Sequence, residues 1–135
     1  MAQFSFTNIV AWQKAHSFVL EVYKCCANFP DFEKFGLVSQ FTRAAVSIPA
    51  NIAEGYKRLS QNEKLRFMNY AQGSLEECRY YIILSRDLRY IGSDKYIMMN
   101  DIIEEVSKLL NGYVKGIANY SAEKIVQVIS NVLTP

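Results

Sequence analysis

Residues 60–91, SQNEKLRFMNYAQGSLEECRYYIILSRDLRYI, decide the fold. The stretch opens on Ser60-Gln61-Asn62-Glu63, a capping-box sequence that marks a helix N-terminus. From there Phe67, Ala71, Ser74, Cys78, Tyr81, Ser85 and Leu88 recur in alternating steps of four and three, the period of one helix face. Leu65, Leu75 and Ile82 widen that stripe. At 1.5 Å per residue the segment from 61 to 91 spans roughly 46 Å, long for a helix in a small globular protein.

The next segment keeps the same period. Ile91-Gly92-Ser93 closes one helix and caps another that starts near Asp94. Tyr96, Met99, Ile103, Val106, Leu110, Tyr113 and Ile117 step by three and four without a break, a coiled-coil-like seam over three heptads. Gly112 and Gly116 leave a thin face suited to close helix packing. From Ser121 onward the chain is rich in β-branched residues and reads as either a short helix or a strand.

Upstream, Leu37, Phe41, Ala44, Ile48 and Ile52 mark a helix from about Glu33 to Gly55. Pro49 lies inside it and removes one amide donor, so this second helix is expected to be kinked. Gly55 falls where a C′ glycine belongs. Before it, Trp12, Ala15, Val19, Val22, Cys26 and Phe29 form the seam of a helix from about Asn8 to Asn28, with Lys14, Glu21 and Lys24 off it. Thr7 or Asn8 suits its N-cap, and Phe29-Pro30 ends it, because a proline disfavours the helical conformation in the residue before it. Four amphipathic helices with short connections make an all-α, antiparallel up-down-up-down four-helix bundle with a kinked second helix. Residues 8–120 are assigned to the bundle and 121–135 to a C-terminal tail.

Composition agrees. Half of the 135 residues are hydrophobic, which excludes disorder for most of the chain. Six glycines and three prolines fall well short of the roughly 12% that these two residues usually contribute, as expected for long elements with few turns. Met1 to Thr7 shows neither the basic nor the apolar region of a signal peptide, and no stretch approaches a membrane span. Cys25, Cys26 and Cys78 are an odd set that fits reduced thiols in a cytoplasm.

Chemistry is hard to find. A di-metal bundle site needs Glu-x-x-His pairs, yet His16 is the single histidine and Gln13 precedes it by three. Glu76, Glu77, Glu104 and Glu105 fall off the seams, where solvated carboxylates belong. Cys78 sits on a seam as a buried, inert thiol. No glycine-rich phosphate loop occurs. The expectation is a non-enzymatic protein with no catalytic residue, metal or cofactor.

Cations offer more. Lys57, Arg58, Lys64 and Arg66 cluster around the connection between helices two and three, with Glu63 the one acid from 57 to 66. Arg79 and Arg86 continue along helix three, near Tyr80 and Tyr90. Arginine with tyrosine contacts phosphates and stacks on unpaired bases. A small net charge of +2 and the acids Glu76, Glu77 and Asp87 instead fit a mixed surface. Tyr70, Tyr80, Tyr81, Tyr90, Tyr96 and Tyr113 exceed what one core absorbs, which places an apolar excess on helix three and points to self-association. Two functions follow: an oligomer that binds RNA or a nucleoprotein through its cations, or a protein–protein scaffold with no nucleic-acid role.

One segment is distinctive in itself. Arg43-Ala44-Ala45-Val46-Ser47-Ile48-Pro49-Ala50-Asn51-Ile52-Ala53-Glu54-Gly55-Tyr56-Lys57-Arg58 resembles the signature of a bacterial four-helix bundle family, the proteins encoded in 23S ribosomal RNA intervening sequences. Trp12-Gln13-Lys14-Ala15, Phe67, Ala71-Gln72-Gly73-Ser74-Leu75-Glu76-Glu77, Leu88 and Tyr90-Ile91 extend the resemblance over roughly positions 8 to 119. It implies a bundle that assembles as a homopentameric ring. A related branch, the accessory variability proteins of retroelements, implies binding of nucleic acid and a reverse transcriptase through basic ring surfaces. Within the signature, Asn51 and Glu54 are expected to satisfy carbonyls freed by Pro49 or to pair with Arg43 or Arg58. Gly73 and Ser74 are expected to admit a close backbone.

Overall fold

A computed structural model describes residues 4–133, except for the side chains of residues 121–123. Four helices follow one another: α1 Val10–Cys26, α2 Leu37–Tyr56, α3 Gln61–Asp87 and α4 Ser93–Leu133. Short 3-10 turns at Phe6–Asn8 and Asp31–Glu33 precede α1 and α2. No strand occurs among the described residues. Each helix packs on its sequence neighbours and α4 closes back on α1, so α1–α3 and α2–α4 lie across the diagonals of a four-helix bundle. Short links between successive helices make this the expected antiparallel arrangement.

The core is one cluster drawn from all four helices. Phe18, Val22, Phe41, Ile48, Ile52, Met68, Ile82, Met99, Ile103, Val106 and Leu110 are its largest fully buried apolar members. The α4 seam behaves as its period requires, since Met99, Ile103, Val106 and Leu110 all face inward. On α3 the buried stripe is Met68, Ala71, Ser74, Leu75, Cys78, Ile82 and Ser85, so Ala71, Ser74, Cys78 and Ser85 of the predicted seam face inward. Its centre is displaced from the predicted seam: Phe67 and Tyr81 flank it half-buried, and Leu88 is exposed. Reading Phe67 rather than Met68 as the core residue caused the shift.

Helix boundaries depart from expectation for local reasons. Ser5, not Thr7 or Asn8, caps the first 3-10 turn by accepting from the Thr7 amide at 3.2 Å. Ile9 is the N-cap of α1, with no side-chain bond. The α1 helix ends at Cys26, ahead of Phe29-Pro30, and Phe29 instead turns into the core. A Glu33 carboxylate oxygen accepts from the Leu37 amide at 3.2 Å and so starts α2. Its other oxygen accepts from Tyr90 Oη at 2.8 Å, clamping the start of α2 to the link after α3. Ser60 caps α3 as predicted, accepting from the Glu63 amide at 3.1 Å.

Gly55 is corrected most sharply. It is buried inside α2 and no described glycine has a positive φ, so it is not a C′ residue. A Cβ there would stand 2.5 Å from Met68 Cε and 3.0 Å from Phe67 Cβ. Gly55 therefore exists to let α3 approach. Termination falls to Lys64, whose Nζ donates to the Tyr56 carbonyl at 2.7 Å and the Gly55 carbonyl at 3.4 Å. Gly73, Gly112 and Gly116 have open space around them, so the close approaches expected there are not made within one chain. The α3 helix ends in a Schellman-type turn. Arg89 takes the left-handed position at φ 64°, and the Tyr90 amide reaches back to Ser85 O at 2.9 Å.

The predicted tail is not a separate element. The α4 helix runs without a break to Leu133, so the described part of 121–135 is helix rather than strand. Past Ile117 it overhangs the bundle. Ile117 is where Gln61, the first residue of α3, donates its side-chain amide to the α4 backbone.

Candidate nucleic-acid interface

Pro49 sits buried within α2 and withholds the amide that would reach the Ala45 carbonyl. Asn51 does not repair that loss. Its Nδ2 donates instead to Ser47 O at 2.8 Å and Ser47 Oγ at 2.9 Å. Ser74 Oγ, from α3, donates to the same Ser47 Oγ at 2.8 Å. Asn51, Ser47 and Ser74 thus form a polar staple between α2 and α3. Glu54 pairs with Arg58, one of its two expected partners. Arg43 is exposed and has no polar partner among the described residues. It lines a groove of about 380 Å³ with Phe35, Gln40, Ser47, Ser74 and Glu77.

The six predicted cations do not share one surface. Lys57, Arg58, Lys64 and Arg66 do meet, at the corner where α2 ends and α3 begins. The Arg58 guanidinium lies over the Phe67 ring at 4.6 Å, and that of Arg66 over the same ring at 5.5 Å. Arg66 also stands 5.9 Å from the Tyr70 ring, which packs edge-on to Phe67 at 5.6 Å. Two arginines and two rings therefore form one partly exposed stack. Lys57 adds a solvent-facing cation with no partner among the described residues. Lys64 is spent on the α2 carbonyls and on the Tyr56 ring, 5.7 Å away. It holds the corner rather than presenting charge.

Arg79 and Arg86 are elsewhere. Arg86 lies 20 residues beyond Arg66 on the same helix, roughly 30 Å along its axis. Arg79 bridges Glu76 at 3.0 Å and Glu104 of α4, so it ties two helices together. Arg86 bonds Asp87 at 3.0 Å and covers the Tyr96 ring at 4.4 Å. Tyr90, expected near them, packs on Phe29 at 5.1 Å and donates to Glu33 at 2.8 Å. Neither arginine belongs to the corner.

Glu54 and Glu63 accompany the corner, the latter 3.1 Å from Arg66. Exposed ion pairs of this kind are worth at most about 1 kcal/mol. A phosphate, which accepts two guanidinium N–H groups at once, readily replaces a carboxylate in such a pair. The sequence signal for Phe67 was its place directly after Arg66, nine residues beyond Arg58; its seam position disguised it as core.

The thiols offer no nucleophile. Cys25, Cys26 and Cys78 are all free and buried. Burial pushes the Cys26 thiol up to about 12, further raised by Cys25, and it also raises Cys78 and, against the opposing charge of Lys95, Cys25. All three stay protonated at neutral pH. His16 stacks on Trp12 at 5.2 Å. Among the described residues no three of His, Cys, Asp and Glu gather as metal ligands would. No described helix is long and apolar enough to cross a membrane.

Comparison with known proteins fits this architecture. A search of curated proteins finds no match. A crystal structure of a protein of unknown function from the S23 ribosomal protein family of Bacteroides thetaiotaomicron superposes with a TM-score of 0.73 at 26% identity. The match covers 78% of this chain and 96% of that one. The sequence profile described as "23S rRNA-intervening sequence protein" matches residues 7–112, which includes the whole signature and the basic corner. The chain belongs to the 23S rRNA-intervening sequence protein family.

Proposed function

We propose that this chain is a non-enzymatic, self-associating helical bundle of the cytoplasm. It binds RNA, alone or within a nucleoprotein, through the corner of Lys57, Arg58 and Arg66. The observation that carries this reading is the stack of Arg58 and Arg66 on Phe67 beside exposed Tyr70. Guanidinium groups held over aromatic rings bring cation and ring together for a phosphate and an unpaired base to meet. Three free thiols support a reducing compartment.

Fluorescence anisotropy with a labelled, structured RNA tests it. About three phosphate contacts per chain predict a roughly 40-fold loss of affinity between about 50 and about 200 mM salt. Undetectable or salt-insensitive binding contradicts it. The apolar end of α4 favours a second reading, a scaffold for a partner protein. One protein recovered in a pull-down after nuclease treatment, with no RNA binding by the pure chain, would select that reading.

A further inference from the structure

The overhang of α4 exposes a large apolar surface. Ile125, Val126, Val128, Ile129, Val132 and Leu133 are between 52% and 78% exposed. At 100° per residue these six side chains fill an arc of about 160°, while Lys124, Gln127, Ser130 and Asn131 fill the rest. The arc is rotated by about a quarter turn from the seam of Met99, Ile103, Val106 and Leu110, so it does not simply prolong the core. It lies at the azimuth of Asn111, whose side chain accepts from Gln72 of α3 at 3.0 Å. Beyond Ile117 α3 has already begun, and nothing among the described residues stands opposite. These positions also lie outside the region matched by the family profile.

An isolated helix of some 16 residues, its last turns carrying three Val and two Ile, is unstable in water without tertiary packing. Something must cover it, and three observations select the occupant. Between 124 and 133 the sole charged residue is Lys124. A helix lying on a membrane surface carries several Lys or Arg on its polar face, and this one carries neutral Gln127 and Asn131. A stripe without charge is complementary to itself. Each of the six residues offers about 60–120 Å² at the usual transfer coefficient, so burying the stripes of two or more overhangs against each other supplies roughly the 1,000 Å² that a stable interface needs. An arc this wide also exceeds the narrow seam that a single neighbour covers. Ile125, Val128, Ile129 and Val132 are β-branched at every seam position, which favours three or more strands over two.

We propose that overhangs from several copies of this chain pack together as a coiled coil of three or more strands, through Ile125, Val128, Ile129 and Val132. This rests on the self-association put forward above and supplies its surface. Light scattering after size exclusion, on the full-length chain at micromolar concentration, tests it with a double variant, Ile125→Asp with Ile129→Asp. The unaltered chain is expected at three or more times 15.5 kDa. The double variant is expected at a lower mass, with its association weakened at least 100-fold, its helical circular dichroism reduced by no more than the overhang contributes, and the thermal midpoint of the bundle kept. Gln127→Asp, on the polar face, is expected to leave the mass unchanged. An oligomer whose mass the double variant does not alter overturns the overhang while leaving self-association standing. A monomeric unaltered chain overturns both, as does a monomer that sediments with neutral phosphatidylcholine vesicles, which would make lipid the occupant.

Discussion

Ser74 Oγ donates to Ser47 Oγ at 2.8 Å, across the interface between α3 and α2. The Ser47 hydroxyl is also held by Asn51, so one hydroxyl fixes the spacing of two helices beside Pro49. Ser74→Ala removes one bond and leaves Ser47 with Asn51, at a cost of about 1 kcal/mol. Ser47→Ala strands the buried Ser74 hydroxyl and is expected to cost about 2 kcal/mol. The double variant is expected to cost less than the sum, because neither hydroxyl is then left unpaired. Urea denaturation of the three variants measures this coupling, and strict additivity would show that the staple is not a unit.

Two glycines are expected to respond in opposite directions to the same substitution. Gly55→Ala places a methyl group against Met68 and the Phe67 backbone-proximal carbon, an overpacking that costs about 1–3 kcal/mol and outweighs alanine's better helix propensity. Gly73→Ala meets nothing within 4 Å and is expected to stabilise by about 0.5–1 kcal/mol. Thermal midpoints of the two variants check the pair.

The thiols set an alkaline limit on stability. Burial raises the folded-state value of Cys26 from 9.0 to about 12, and that of Cys78 above the usual range as well. In the unfolded chain both ionise near their ordinary value. Their contribution is therefore fully present below about pH 9 and lost as pH rises from there toward 12, by up to about 1.4 kcal/mol per pH unit per thiol. Tyr81 and Tyr113 are raised by burial and act in the same direction at higher pH. Urea denaturation between about pH 8 and about pH 11 is expected to show falling stability, with a shallower fall in Cys78→Ala.

The bundle was legible because all four core faces follow the helical period over many turns, and packing obeyed it. Errors arose where two apolar residues are adjacent. Phe67 and Met68 compete for one position, and the smaller-looking choice for the surface won the core because Gly55 leaves room above it. The overhang escaped because β-branched residues weaken a helix signal, and composition shows an apolar excess without its place; that excess was expected on α3, yet seven exposed large hydrophobics lie together at the end of α4. At the candidate site, residue types were readable and so were the i,i+3 and i,i+4 carboxylates. The capping role of Lys64 and the bridge from Arg79 to Glu104 were not, since each depends on where a second helix lies.

RNA binding is proposed for the corner of α2 and α3. The slope of log affinity against log salt, for a labelled structured RNA, tests it most directly across three proteins. Lys57→Ala with Arg66→Ala is expected to weaken binding and flatten the slope by about 2, and Arg79→Ala to leave the slope unchanged. An unchanged slope in the corner variant, or an equal loss in Arg79→Ala, would show that RNA does not bind at this corner.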